Sequence, residues 1–182
     1  YKLMGRGVEA LAERYGGRDF AISYFRNEMS GYHTGPAAHL THITGARHSH
    51  LDSAGYSIDQ KLLMEGKSIE PEEMAKALFE EEAIRQVLSS LVVCFFARSV
   101  YTPDRISKCL KLFGWDLEGK DLVEIGRKIL VEKNILKREM GFDMENYYIP
   151  KRVLEVPTPL GLIDASYVKK TVEHFKTLAF KS

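Results

Sequence analysis

Gly31-Tyr32-His33-Thr34-Gly35-Pro36, continuing through Gly45-Ala46-Arg47-His48-Ser49-His50, is the stretch around which this chain of 182 residues is organised. Five of the six histidines lie between positions 33 and 50. Packed helices do not need so many imidazoles, hydroxyls and turn residues in one short run. A segment that brings backbone and side chains close to a polar ligand does. Within it, Thr34-Gly35-Pro36 carries helix-start chemistry, so the spacing predicts a helix over 36–44 closed by Gly45. His39 and His42 then share one face. Residues 46–55 read as extended or irregular. Ser57, with Gln60 three residues on, reads as a capping box for a helix ending at Gly66.

Outward from this stretch the chain reads as amphipathic helix. Residues 2–15 suggest a helix stopped by Gly16-Gly17, and Phe20, Ile22 and Tyr24 alternate as in a short strand over 19–26 with no evident partner. Ser68 to Pro71 opens the longest helical pattern, running to about Ala97. Its apolar stripe is Met74, Leu78, Ile84, Leu88, Leu91 and Cys94 or Phe95, and its end, Val92 to Phe96, is apolar enough to be enclosed on every side. Further helices are predicted from Thr102-Pro103 to Gly114, with Ile106, Leu110 and Phe113 inward, and over about 120–140, with Leu122, Ile125, Ile129, Ile135 and Leu136 inward. Residues 142–163 read as a loop. Asp164 caps a last helix whose inward residues are Val168, Val172, Phe175 and Ala179. The fold class expected is mainly α, a multi-helical orthogonal domain with one short strand near the N-terminus.

Composition bounds the function. Twenty-six basic and twenty-five acidic residues leave a formal charge of +1, without the basic excess of a nucleic-acid or anionic-membrane surface. The longest weakly polar run, Val87 to Ala97, is too short to span a bilayer. Two cysteines, Cys94 and Cys109, make neither a disulfide framework nor a zinc pair, and the default compartment is the cytoplasm. Tyr1 is not an initiator methionine, and a helix already in progress there suggests a piece of a longer chain. No phosphate loop, dinucleotide fingerprint or nucleophile elbow is present. The histidines are open to three readings: hydrogen-bonded turn and cap residues, donors beside a ligand, or direct metal ligands, although no zinc spacing such as HExxH occurs. Asp52, Asp59 and Glu65 are either acid–base groups or turn formers. Cys94 is either a small buried hydrophobe or one ligand of a cluster whose other thiolates lie elsewhere, and Cys109 reads as packing.

Arg47-His48-Ser49-His50-Leu51-Asp52, set after Thr44-Gly45-Ala46, is followed by Ser89-Ser90-Leu91-Val92-Val93-Cys94. Gly114-Trp115-Asp116, Ile125-Gly126-Arg127 and Ile149-Pro150-Lys151-Arg152 come downstream, and Phe20-Ala21 to Glu28-Met29 upstream. In this order and spacing the chain resembles the tungsten-containing aldehyde:ferredoxin oxidoreductase family over nearly its whole length. The resemblance implies the C-terminal helical part of a larger enzyme. Residues 1–30 would be the tail of one domain and 31–182 a main helical domain, closing over an N-terminal cofactor-binding domain or subunit. It implies oxidation of a small aldehyde to the carboxylic acid by a tungsten bis-pterin (molybdopterin) group, with electrons passing through a [4Fe–4S] cluster to ferredoxin.

By the same resemblance His48 is the catalytic histidine beside the metal, and Cys94 is the last of four cluster ligands. Arg47, Ser89, Val93 and His33 are candidate cofactor-binding or pocket residues. Two positions depart from the family pattern Asp-x-x-Gly-Leu-Cys: Ser89 stands for the aspartate and Val92 for the glycine. Serine cannot accept two hydrogen bonds from a pterin amine as a carboxylate does, and valine restricts close backbone approach. The isolated chain is expected to hold no cofactor and to be inactive. The alternative is a non-catalytic, stand-alone helical subunit that binds protein, and a zinc hydrolase using the histidines is a third possibility.

Overall fold

The computed structural model describes residues 1–180. Nine α-helices dominate these residues: α1 (Val8–Tyr15), α2 (Pro36–Thr44), α3 (His50–Ser53), α4 (Gly55–Glu65), α5 (Pro71–Ser90), α6 (Pro103–Lys111), α7 (Gly119–Glu139), α8 (Lys151–Glu155) and α9 (Ala165–Ala179). Short 3-10 turns occupy Met4–Arg6 and Phe95–Ala97. The mainly α expectation holds. The N-terminal strand has the partner its sequence did not reveal: β1 (Ser23–Tyr24) pairs antiparallel with β2 (Asn27–Glu28).

α5 is the hub, packed against α7 and α9, while α2 packs on α4. Two glycines permit these contacts. A side chain at Gly126 of α7 would collide with the Ala83 carbonyl of α5, and one at Gly55 of α4 with the Ala37 carbonyl of α2. The main core gathers Tyr24, Leu40, Ile43, Met74, Leu78, Leu130, Val153, Val168, Val172 and Phe175. A smaller core of Val87, Leu88, Ile106 and Leu122 joins α5, α6 and α7 at the far end of α5. Pro36 and Gly45 bound α2, and Asp164 caps α9 by accepting from the Ser166 N–H, with Val168, Val172, Phe175 and Ala179 all buried.

Several expectations are corrected. The 2–15 helix breaks at Gly7 (φ 90°). Residues 50–53 form a helix because Ser49 and Asp52 make a reciprocal capping box. The α4 N-cap is Ala54 rather than Ser57, which lies inside the helix. α5 stops at Ser90, seven residues short of Ala97, in a Schellman motif: Val92 N–H donates to the Ser89 carbonyl and Val93 N–H to the Leu88 carbonyl. The segment read as enclosed is therefore open, with Val92 and Phe96 more than nine-tenths exposed and Cys94 and Cys109 also exposed. Phe113, Ile125 and Leu136 are exposed as well. The inward face of α7 is Leu122, Gly126, Leu130 and Asn134. The 142–163 loop contains α8.

Candidate functional site

The loop 45–50 carries the first candidate. His48 sits in the left-handed region (φ 54°), which a non-glycine residue adopts only when its surroundings hold it there. Four elements do so. From α5, Glu82 Oε1 accepts from the Ala46 N–H at 2.8 Å. From α3, Asp52 accepts from the Arg47 and Ser49 N–H groups at 3.0 Å and from Arg47 Nε at 2.8 Å. From the hairpin, Asn27 Nδ2 donates to the His48 carbonyl at 2.6 Å. From α7, Lys137 Nζ reaches the Gly45 carbonyl at 3.4 Å and His48 Nε2 at 3.0 Å. The hairpin turn itself is strained. Phe25 (φ 51°) and Arg26 (φ 64°) take the conformations of a primed turn without the usual Asn or Gly, and this places the Phe25 ring on His48. The rings of Phe25, His48 and Phe142 contact one another, with centroids 4.5–5.0 Å apart.

The His48 tautomer follows from its partners. The His42 carbonyl, 2.9 Å from Nδ1, can only accept, so Nδ1 carries the hydrogen and Nε2 presents its lone pair to Lys137. Burial, reinforced by the Lys137 cation, lowers the imidazole to about 4. Burial likewise lowers Lys137 to about 8 against the opposing pull of Glu82 and Asp52. Burial and the Asp52 carboxylate push Glu82 up to about 8. Near neutral pH this cluster therefore holds a neutral His48 and a protonated Glu82.

A second buried relay runs beside it. His33 Nε2 lies 2.9 Å from the Val156 carbonyl, which must accept; His33 Nδ1 then accepts from His39 Nε2 at 2.9 Å, and His39 Nδ1 from the Tyr24 hydroxyl at 2.8 Å. One direction of donation satisfies all three contacts. Burial pushes His39 down to about 3 and Tyr24 above the usual phenol range. The relay borders a cavity of about 220 Å³ lined by Tyr32, His33, His39 and Arg152 among others. Asp59, reaching from α4, caps α2 by accepting from the Ala37 and Ala38 N–H groups and the Thr34 hydroxyl. Burial nevertheless raises its carboxyl to about 6. His42 and His50 are likewise tied up, His42 Nδ1 donating to the Ala38 carbonyl and His50 Nδ1 pairing with the Ser30 hydroxyl.

Cys94 stands apart. It follows the α5 Schellman turn, where Val92 holds φ 57°, a conformation costly for a β-branched residue and natural for glycine. Ser89 is exposed at the last turn of α5, and Val93 packs on the small core. Leu91, Val92, Phe96, Val100 and Tyr101, in the chain on either side of Cys94, are all exposed. The structure thus brings His48 and Arg47 together in one loop, groups Ser89, Val93 and Cys94 on the α5 turn, and places His33 in the separate relay. The 45–50 loop and the turn communicate through Phe95, whose ring lies under the guanidinium groups of Arg47 (5.7 Å) and Arg85 (5.5 Å). Lys137 and Glu82 escaped the sequence reading: one is 89 positions from His48, and the other sits in a Glu80-Glu81-Glu82 run that resembles a solvated face. Among the described residues no group of three or more His, Cys, Asp or Glu side chains is arranged to hold a metal ion.

The histidine of the 45–50 loop and the exposed thiol of Cys94 thus occupy separate places on the helical domain. The family model described as aldehyde ferredoxin oxidoreductase, domains 2 & 3, matches residues 1–179, and the chain belongs to this family. It is 25% identical over 168 residues to the tungsten-containing aldehyde ferredoxin oxidoreductase of Pyrococcus abyssi, covering 87% of this chain and 27% of that protein. It is 26% identical over 167 residues to the protein of the same description from Thermococcus kodakarensis, with the same two coverages. The chain thus spans about 27% of the length of the curated relatives it matches. No solved structure matches it.

Proposed function

We propose that this chain is the C-terminal helical portion of a tungsten-pterin, iron–sulfur oxidoreductase that oxidises aldehydes to carboxylic acids and passes the electrons to ferredoxin. The observation that carries the reading is the Cys94 turn, in a chain matched by the family over 179 residues. A free thiol stands exposed just past a capped helix end, in a segment whose Leu91, Val92 and Phe96 are exposed as well. Cys94 fits as one ligand of a four-thiolate cluster, the rest coming from an N-terminal cofactor-binding domain or subunit. Cys109, exposed on α6, is the only other cysteine of the chain. When bound, the tungsten-pterin group takes up the electron pair of the oxidation and the cluster gives it an exit.

The chain's own residues do the rest. Arg47, half-exposed beside the buried Asp52, offers a cation toward an anionic cofactor. His48 offers a neutral, oriented imidazole, and His33 borders a small cavity that an aldehyde could line. Ser89 offers a hydroxyl where a family member offers a carboxylate, and Val93 seats the turn on the small core. Residues 1–30 serve as the tail of the preceding domain and 31–182 as the main helical domain.

The test is iron, tungsten and molybdenum analysis with a visible spectrum, on the chain alone and on the complex with its N-terminal portion. The expected result is no cluster and no turnover alone, with about four irons and one tungsten in the complex, lost on Cys94→Ser. Aldehyde oxidation by the isolated chain, or an unchanged cluster in Cys94→Ser, would overturn it. The exposed Leu91, Val92 and Phe96 also favour a second reading, a stand-alone subunit that binds protein. That reading predicts a complex with no metal at all.

A further inference from the structure

Lys137 Nζ meets His48 Nε2 at 3.0 Å, and nothing in the His-rich stretch announces it. The side chain is part-buried, its nitrogen held by three acceptors: the imidazole Nε2 at 3.0 Å, the Gly45 carbonyl at 3.4 Å and the face of Phe142 at 4.1 Å from the ring centre. A flexible four-carbon side chain so confined has lost most of its rotamer freedom, which is the signature of a group that sets another's position. The imidazole is gripped from the opposite side by the His42 carbonyl.

Behind Lys137 the polar groups do not close. Among the described residues two buried side-chain oxygens lack a hydrogen-bond partner, Glu82 Oε2 on α5 and Asn134 Oδ1 on α7, and Asn134 lies one turn before Lys137. α5 and α7 pack directly together. An ionised, unpartnered carboxylate oxygen in such a place would be costly, whereas a neutral acid carries the hydrogen that an orphaned acceptor needs. With Glu82 uncharged, Asp52 is the buried anion still acting on Lys137. The other charged or titratable groups facing this cluster are Asp52 of α3, Arg47 of the loop and His42 of α2, and Asp52 is already engaged by Arg47.

We propose that Lys137 is the positioning residue of His48: with the His42 carbonyl taking the Nδ1 hydrogen on the opposite side, it keeps Nε2 as a committed lone pair. This deepens the oxidoreductase reading and rests on it for the meaning of His48, but it is tested without any cofactor. The site then meets an incoming substrate with an imidazole of set orientation and zero charge, and Nε2 becomes available only when Lys137 moves.

The experiment is long-range nitrogen–proton NMR on the histidine-labelled 182-residue chain, comparing wild type with Lys137→Gln, Lys137→Arg and Glu82→Gln. The expected wild-type spectrum at pH 7 shows His48 with Nδ1 protonated and Nε2 unprotonated. Lys137→Gln should move the His48 midpoint up by roughly one pH unit, as removal of a neighbouring cation does. Lys137→Arg should keep it low, and Glu82→Gln, which mimics the neutral acid, should leave the spectrum unchanged. An Nε2–H tautomer in the wild type overturns the proposal even if every variant misfolds. So does an unmoved midpoint in folded Lys137→Gln. Failure of the oxidoreductase reading would instead appear in the metal analysis, with these spectra intact.

Discussion

The 45–50 loop and the 91–96 turn are both strained, and they resolve strain in opposite ways. His48 holds φ 54° and Val92 holds φ 57°. Around His48, bonds from α3, α5, α7 and the hairpin converge, and every strained backbone angle is compensated inside the chain. Around Val92 the backbone satisfies itself through a Schellman motif, while the side chain is 92% exposed. The first region is tied down by side chains from four elements, whereas the second leaves Val92 and Phe96 exposed.

Breaking the first region should cost most. Asp52→Ala strips an acceptor from the Arg47 and Ser49 N–H groups and from the Arg47 guanidinium. We expect a loss of about 2–4 kcal/mol by urea denaturation. Cys94→Ser on the other side should change stability by less than about 0.5 kcal/mol. Comparable losses would erase the distinction. Tyr24→Phe should come next, at about 1–3 kcal/mol, because it leaves His39 Nδ1 buried without its donor.

Glu82→Gln sharpens the comparison through pH. Its carboxyl is raised in the fold, so the stability it contributes is fully present below the ordinary glutamate range and is lost as pH rises toward about 8. Glutamine cannot ionise. The variant should therefore gain on the wild type by at least about 1 kcal/mol between pH 5 and pH 8 in chemical denaturation series. A pH-independent difference would mean that Glu82 is not held neutral. The smallest effect belongs to the open turn: Val92→Gly should stabilise by about 1 kcal/mol or less, the relief of the left-handed valine being partly offset by glycine's entropy. A loss of stability there would show that the Val92 side chain has a partner in the folded chain.

Much of this was legible in residues whose signals are local. Pro36 and Gly45 bound α2, Thr102 and Asp164 cap α6 and α9, and the four inward residues of α9 follow helical spacing. What hid was non-local or disguised. α3 lay under turn-like composition, its Ser49–Asp52 box unnoticed. The stop of α5 was masked because valine, not glycine, takes the left-handed cap. Of the expected α7 stripe Leu122, Ile125, Ile129, Ile135 and Leu136, Leu122 is buried while Ile125 and Leu136 are exposed, because close packing on Ala83 turns Gly126 inward instead. His48, Arg47 and Cys94 stood out by type and order, and their chemical partners, Lys137 and Glu82, are charged residues on distant helices that periodicity assigns to solvent.

Amide hydrogen exchange on the 182-residue chain tests the contrast most directly. The Ala46, Arg47 and Ser49 amides, each donated to a buried carboxyl group, should exchange only with global unfolding. The Ala97 and Arg98 amides of the exposed 3-10 turn should exchange by local opening, at least a hundredfold faster. Equal rates in the two regions, or fast exchange at Ala46 and Ser49, would contradict the account: the His48 loop would then be no more preformed than the turn that carries Cys94.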